Sequence, residues 1–74
     1  MPKLSPLPAE AVARVARQQG FTLDRQKGSH AVYLRSSDKR RVVIPMHSGD
    51  LKLGTLRGIV SDMGLSVEEF LKLL

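Results

Sequence analysis

The chain contains no cysteine. Without it there is no disulfide framework to staple a small fold and no thiolate to hold a metal, and the composition agrees with a reducing compartment. Aromatic side chains are scarce as well, with only Phe21, Phe70 and Tyr33 present. A core short of aromatics has to be assembled from Val, Leu and Ile in compact elements, which favours one sheet covered by one or two helices. No stretch approaches the ~20 apolar residues needed to cross a bilayer. The first residues, Met1-Pro2-Lys3-Leu4-Ser5, lack the apolar run of a secretion signal. The expected location is the cytoplasm, with no membrane contact. At 74 residues, the whole chain (residues 1–74) reads as one domain with a thin stability margin, and a second domain is excluded.

What the chain does have is positive charge. The formal net charge is +5, and residues 24–41 supply most of it, with Arg25, Lys27, Arg35, Lys39, Arg40 and Arg41 set against Asp24 and Asp38. A basic middle points to a polyanion or an acidic protein partner, although charge alone is equally compatible with a well-solvated surface.

Hydrophobic spacing gives the order of elements. Residues 1–7 read as an irregular lead-in, since Ser5-Pro6-Leu7-Pro8 resists helix and Pro8 suits only a helix's first turn. From Pro8 to Gln19 the apolar residues Val12, Val15 and Ala16 recur three and four apart, and Gly20 is placed to end that helix. Residues 21–25 alternate, with Phe21 and Leu23 on one side and Thr22 and Asp24 on the other, as in a half-buried strand. Gln26-Lys27-Gly28-Ser29 makes a turn into a second strand over residues 30–35. Ser36-Ser37-Asp38-Lys39 turns again into a third strand over residues 40–44, which Pro45 ends. Thr55 is a candidate N-cap for a helix over residues 56–63 closed by Gly64, and Ser66-Val67-Glu68-Glu69 is a capping box opening a short last helix. The predicted fold is α+β: helix, three-stranded antiparallel sheet, helix, and a short C-terminal helix, with both longer helices on one sheet face. This is the α-β-β-β-α order of double-stranded-RNA-binding domains.

Four segments carry a more specific signal. Gln26-Lys27-Gly28-Ser29-His30, Val43-Ile44-Pro45-Met46-His47-Ser48-Gly49, Leu53-Gly54-Thr55-Leu56-Arg57-Gly58-Ile59 and Met63-Gly64-Leu65-Ser66-Val67-Glu68-Glu69-Phe70 occur in this order. Together they resemble the HicA family from Leu7 onward. The resemblance implies a toxin of a HicA/HicB toxin–antitoxin pair: a small RNA-cleaving protein held inactive by a HicB-like antitoxin. It assigns the catalytic role to the histidine of a Gly-Ser-His turn, here His30, with Gly28 and Ser29 as the supporting turn. Where many relatives carry a second histidine directly after the first, this chain has Ala31.

The chemistry is compatible with these residues. Metal-free RNA cleavage needs a base for the 2′-OH proton, an acid for the leaving 5′-oxygen and cations around the phosphate; histidine serves as either base or acid near neutrality. Arg25, Lys27, Arg35, Arg40 and Arg41 are the candidate RNA contacts. His47 is a possible assistant to His30, or else a loop histidine that contacts backbone or antitoxin. Read without the family, His30 is more readily a strand histidine satisfied by a neighbour, and alternation places it with Val32 and Leu34, on the expected core side, at the start of the strand. Tyr33 reads as an edge-packing aromatic rather than a base-stacking platform. The scattered Asp24, Asp38, Asp50 and Asp62 have no ligand spacing with a histidine, so no metal and no cofactor is expected. Two rival functions use the same features: a non-catalytic double-stranded-RNA-binding module, and a protein-interaction module. The first is disfavoured because the start of the second helix offers only Lys52 and Arg57 as cations, and the second leaves the basic middle unused.

Overall fold

Prolines at positions 6 and 8 keep the start of the chain extended, and the backbone polar groups there find a partner across the molecule. In the computed structural model, which describes residues 3–74, Leu7–Pro8 forms a two-residue strand β1. The predicted lead-in is therefore only partly irregular: Leu4 is buried in the core, β1 is paired, and Met1 and Pro2 lie outside the described residues. Pro8 is the N-cap of helix α1 (Ala9–Gln18), which thus begins one residue later than expected. On α1 the buried positions are Ala9, Val12, Ala13, Val15 and Ala16. Gly20, with φ +89°, lets the chain turn so that the Phe21 amide donates to the Ala16 carbonyl at 3.0 Å, closing the helix end.

The sheet is the predicted antiparallel meander, in spatial order β2 (Thr22–Lys27), β3 (His30–Arg35), β4 (Arg40–Pro45). Pro45 is tolerated because β4 is an edge strand and the proline stands at its end. After β4 the chain forms a second two-residue strand, β5 (Asp50–Leu51), which pairs antiparallel with β1. Helix α2 spans Leu53–Asp62 and starts at Lys52, three residues before the expected Thr55 cap. No side chain caps it, and the pairing of β5 fixes where the chain is released into the helix instead. Helix α3 (Val67–Lys72) opens with the expected capping box: Glu69 N–H donates to Ser66 Oγ at 3.0 Å and Ser66 N–H donates to Glu69 Oε1 at 2.8 Å. The Ser66 amide, followed by the Ser66 hydroxyl, holds the Glu69 carboxyl below its ordinary range.

The core lies between the helices and one sheet face. Ala31 and Tyr33 of β3 and Val42 and Ile44 of β4 meet the apolar sides of α1 and α2, with Phe21, Leu56, Met63 and Phe70 filling the remaining volume. This reverses the expected faces of β3, since the core side carries Ala31 and Tyr33, not His30, Val32 and Leu34. Tyr33 is thus a core residue, its hydroxyl 3.5 Å from Arg17 Nη1. The first strand also departs from expectation. Phe21 precedes it and is buried, but every residue of β2 is exposed, Leu23 at 52%. The reason is placement: both long helices pack against β4, and β2 is the far edge of the sheet.

Arg35 ties the closed end together. Its guanidinium forms a fork with Asp38 (Nε to Oδ1 3.0 Å, Nη2 to Oδ2 2.8 Å). It also donates to the Gln19 carbonyl at 2.8 Å and the Met63 carbonyl at 3.4 Å, satisfying the ends of α1 and α2, and it lies 4.5 Å from the Phe21 ring centroid. The Arg35 fork, with smaller help from Arg40, holds the Asp38 carboxyl down at about 2 instead of 3.8. The folded-state value is the lower one, so this pairing contributes fully above about pH 4 and is lost as pH falls toward 2. Arg35→Lys, which keeps the charge but not the fork, is expected to cost on the order of 1–2 kcal/mol in chemical denaturation at neutral pH. Asp38→Asn is expected to flatten the acid limb of the stability curve between pH 4 and 2. An unchanged stability for both variants would contradict this role.

Candidate functional site

The helices cover one face of the sheet, and the other is where the chemistry-bearing side chains collect. Strand pairing places side chains of facing residues on the same side, so the register gives the composition of the open face directly. Lys27, His30 and Pro45 form one row across β2, β3 and β4; Arg25, Val32 and Val43 form the next; Thr22, Leu34 and Arg41 form the third. The rows rest on an irregularity in β2. Leu23 pairs with Tyr33 and Arg25 with Val32, so Asp24 is an extra residue in the strand. Strict alternation would have placed Leu23 and Arg25 on one side; the bulge turns Leu23 to the helix side and Arg25 to the open side.

The turn between β2 and β3 has two residues, Gly28 and Ser29. Gly28 has φ +60°, and no atom lies within 4 Å of where its Cβ would be. Glycine is required here for its backbone conformation, at the first central position of a hairpin turn, and the space above it is left free. Two further bonds shape this end of the sheet. Gln26 Nε2 donates to the Gly28 carbonyl at 3.2 Å, and the Met46 amide donates to the Ser29 carbonyl, joining the turn to the segment that follows β4.

Next to the turn is an open hollow of about 470 Å³, lined by Arg25, Lys27, His30, Val32, Arg41 and Val43. The structure therefore brings together four of the residues singled out from sequence: His30, Arg25, Lys27 and Arg41. His30 is exposed on this face, not packed beneath the helices. Ala31 points the opposite way and is buried, so a side chain at that position does not join His30 on the open face. His47 is exposed in the loop two residues beyond Pro45, with Nδ1 3.0 Å from the Ser48 carbonyl, and lies outside the lining of the hollow.

Two of the candidate RNA contacts are placed elsewhere. Arg35 and Arg40 face each other at the other end of the sheet, on the helix side. Arg35 is engaged as described above; Arg40 donates to the Asp62 carbonyl at 3.2 Å and pairs with Asp38 at 3.3 Å. Their charge is used in closing helix ends. Conversely, Val32 and Val43, which sequence reasoning had no cause to count as site residues, form part of the lining. The signal that would have found them is the register, which the bulge at Asp24 and the faces of β3 decide. Among the described residues, no group of three or more His, Asp or Glu side chains is placed to share a metal ion.

A family model described as the HicA toxin of bacterial toxin–antitoxin systems matches residues 9–65. The chain belongs to the HicA toxin family. The match runs from the start of α1 through the turn that ends α2, and so contains the whole open face and the hollow. Comparison with curated proteins finds no match. Membership makes this HicA protein the toxin component of a toxin–antitoxin system, with an antitoxin as its partner. No helix among the described residues is long and apolar enough to cross a membrane.

Proposed function

We propose that this HicA protein is a metal-independent endoribonuclease that cleaves messenger RNA in the cytoplasm, the whole chain acting as one domain. His30 is the catalytic residue, Arg25, Lys27 and Arg41 contact phosphate, and a HicB-like antitoxin inhibits by covering the hollow. The observation that carries this reading is the position of His30: an exposed imidazole on the uncovered sheet face, with Lys27 beside it in its row and Arg25 and Arg41 around the same hollow.

The arrangement suits transesterification of a phosphodiester. Removing the proton of the 2′-OH lets that oxygen attack the adjacent phosphorus, the bond from phosphorus to the 5′-oxygen breaks, and the leaving oxygen takes up a proton. An imidazole is suited to either proton transfer near neutral pH. The negative charge that gathers on the crowded phosphate is offset by the cations around it. The Gly28 turn adds an approach unobstructed by any side chain. His30 serves one of the two proton transfers; His47, from the loop beside the hollow, is the candidate for the other.

His30→Ala is expected to reduce RNA cleavage by ~10² to 10⁴ and to relieve growth arrest. RNA binding should persist, because Arg25, Lys27 and Arg41 are untouched. Stability should change by no more than about 0.5 kcal/mol, because the ring is exposed. His47→Ala, assayed in parallel, separates the one-histidine and two-histidine schemes: an equal loss assigns the second proton transfer to His47. A folded His30→Ala variant that cleaves like the parent would overturn the catalytic assignment and favour an RNA-binding module instead.

Cleavage by the purified protein should survive a large excess of EDTA. Loss of activity with chelator, restored by Mg²⁺ or Mn²⁺, would refute the metal-free scheme.

The antitoxin should protect residues 28–33 and 40–47 from hydrogen exchange in the complex, and an acidic contact face on it would speed capture by the basic hollow. A complex whose protection avoids both segments, or which still cuts RNA at the full rate, would contradict inhibition by occlusion.

A further inference from the structure

The hollow has an aliphatic centre as well as a cationic rim. On the middle row of the open face, Val32 and Val43 stand side by side, with Arg25 completing the row on the β2 side. Val32 lies outside the cluster packed under the helices and lines the hollow with only 7% of its surface exposed, and Val43, beside it in the lining, is half-buried. Along the strands, the valine pair lies between the Lys27–His30 end and Arg41 in the third row. With about 4.8 Å between strands and about 6.6 Å between alternate residues of a strand, Lys27 and Arg41 occupy opposite corners of a patch roughly 10 by 13 Å. That patch is positive at two corners and apolar in the middle.

A bare phosphate needs only the cations. A cationic rim around an apolar floor is complementary to a molecule with a flat apolar body and phosphates to either side of it. From this we infer that Val32 and Val43 form a nucleobase subsite: one base of the RNA lies against the two valines, with its flanking phosphates held at the Arg25–Lys27 side and at Arg41. The inference rests on the reading of the hollow as the RNA site and deepens it by naming what seats the nucleotide next to His30. Neither Phe21 nor Tyr33 is available for stacking, because both are buried on the other side. The valines offer no hydrogen-bonding group to a base edge, so the subsite orients the nucleotide by contact of shape and admits bases with little discrimination. An extended single strand presents such a base face; a paired duplex keeps its bases stacked and turned inward.

The test does not require cleavage. Adenosine 3′,5′-bisphosphate, titrated at low salt into the protein with labelled valine methyl groups, carries a base between two phosphates; ribose 5-phosphate carries none. With the adenosine probe, the Val32 and Val43 methyl resonances are expected to move upfield under the ring current of the base. With ribose 5-phosphate they should stay in place while the amides of Arg25 and Lys27 respond to both probes. Val43→Thr, which keeps shape and strand preference but presents a hydroxyl, should weaken binding of the adenosine probe about three- to tenfold and leave ribose 5-phosphate unaffected. The subsite is refuted if the valine methyls do not move with the adenosine probe, if both probes move them alike, or if Val43→Thr leaves the ratio of the two affinities unchanged. Failure of His30→Ala to abolish cleavage would count against the catalytic reading alone, since the methyl shifts report on the base and not on turnover.

Discussion

A three-stranded sheet has two faces, and this chain has apolar helix surface for only one of them. Val12, Val15 and the alanines of α1, with Leu56, Ile59 and Val60 of α2, are enough to bury Ala31, Tyr33, Val42 and Ile44. Burying such side chains contributes roughly 1.5–3 kcal/mol for each large one, which is what selects the covered face. Once those residues are turned inward, the pleat turns His30, Val32 and Leu34 outward, with no further choice to be made. The openness of the site is thus a consequence of the helix count. A fold that closed over both faces would need apolar surface that a chain of this length does not have.

The sheet keeps its committed and its uncommitted charges on opposite faces. His30 opens β3 and Arg35 closes it, about 17 Å apart for five steps of strand. At the Arg35 end, guanidinium groups are locked onto Asp38 and onto helix carbonyls, where fixed partners suit a rigid planar fork. On the open face, Lys27 beside His30 and Arg41 in the third row enter no ion pair with any described residue, and Arg25 only touches Asp24 at 4.0 Å. A cation already committed to a carboxylate has to give up that partner before it can take a phosphate; an uncommitted one does not. Counting the basic residues of the middle segment therefore overstates the uncommitted charge, because Arg35 and Arg40 are engaged in the fold.

Much of the architecture was legible in the sequence because its signals are local. Gly20 and Gly64 ending helices and the Ser66–Glu69 capping box each depend on a few adjacent residues and are found where the sequence places them, while the turn expected over residues 26–29 narrows to Gly28 and Ser29 because Gln26 and Lys27 pair in β2. The largest departures involve partners distant in sequence. The β1–β5 ladder joins residues more than forty positions apart, and it is this pairing that starts α2 at Leu53, ahead of the cap that Thr55 advertises. Phe21 and Leu23 look equivalent in the sequence, yet one is buried and the other exposed, because the sheet's far edge lies beyond the reach of the helices. The face of β3 was misread for a related reason. His30, Val32 and Leu34 alternate with Ala31, Tyr33 and Arg35, and by hydropathy the first set is the more apolar beyond its histidine. What decides the matter is which set fits beneath closely packed helices, and a small alanine and a tyrosine whose hydroxyl reaches Arg17 do so.

That misreading bears directly on the site. Taken as a core residue, His30 would have been a packed imidazole needing an internal partner; on the open face it is exposed. The valines change meaning with it, from core filling to lining. The bulge at Asp24 completes the arrangement from the neighbouring strand: without the extra residue, Arg25 would lie on the same side as Leu23 and the middle row would have no cation. Three features thus converge on one hollow, namely the pleat of β3, the irregularity of β2 and the glycine turn joining them. The pleat of β3 serves both faces at once, whereas the irregularity of β2 and the glycine turn lie among exposed residues, away from the core. Changes that tune the open face can therefore leave the fold intact, whereas changes at Arg35 act on the fold and reach the site only through it.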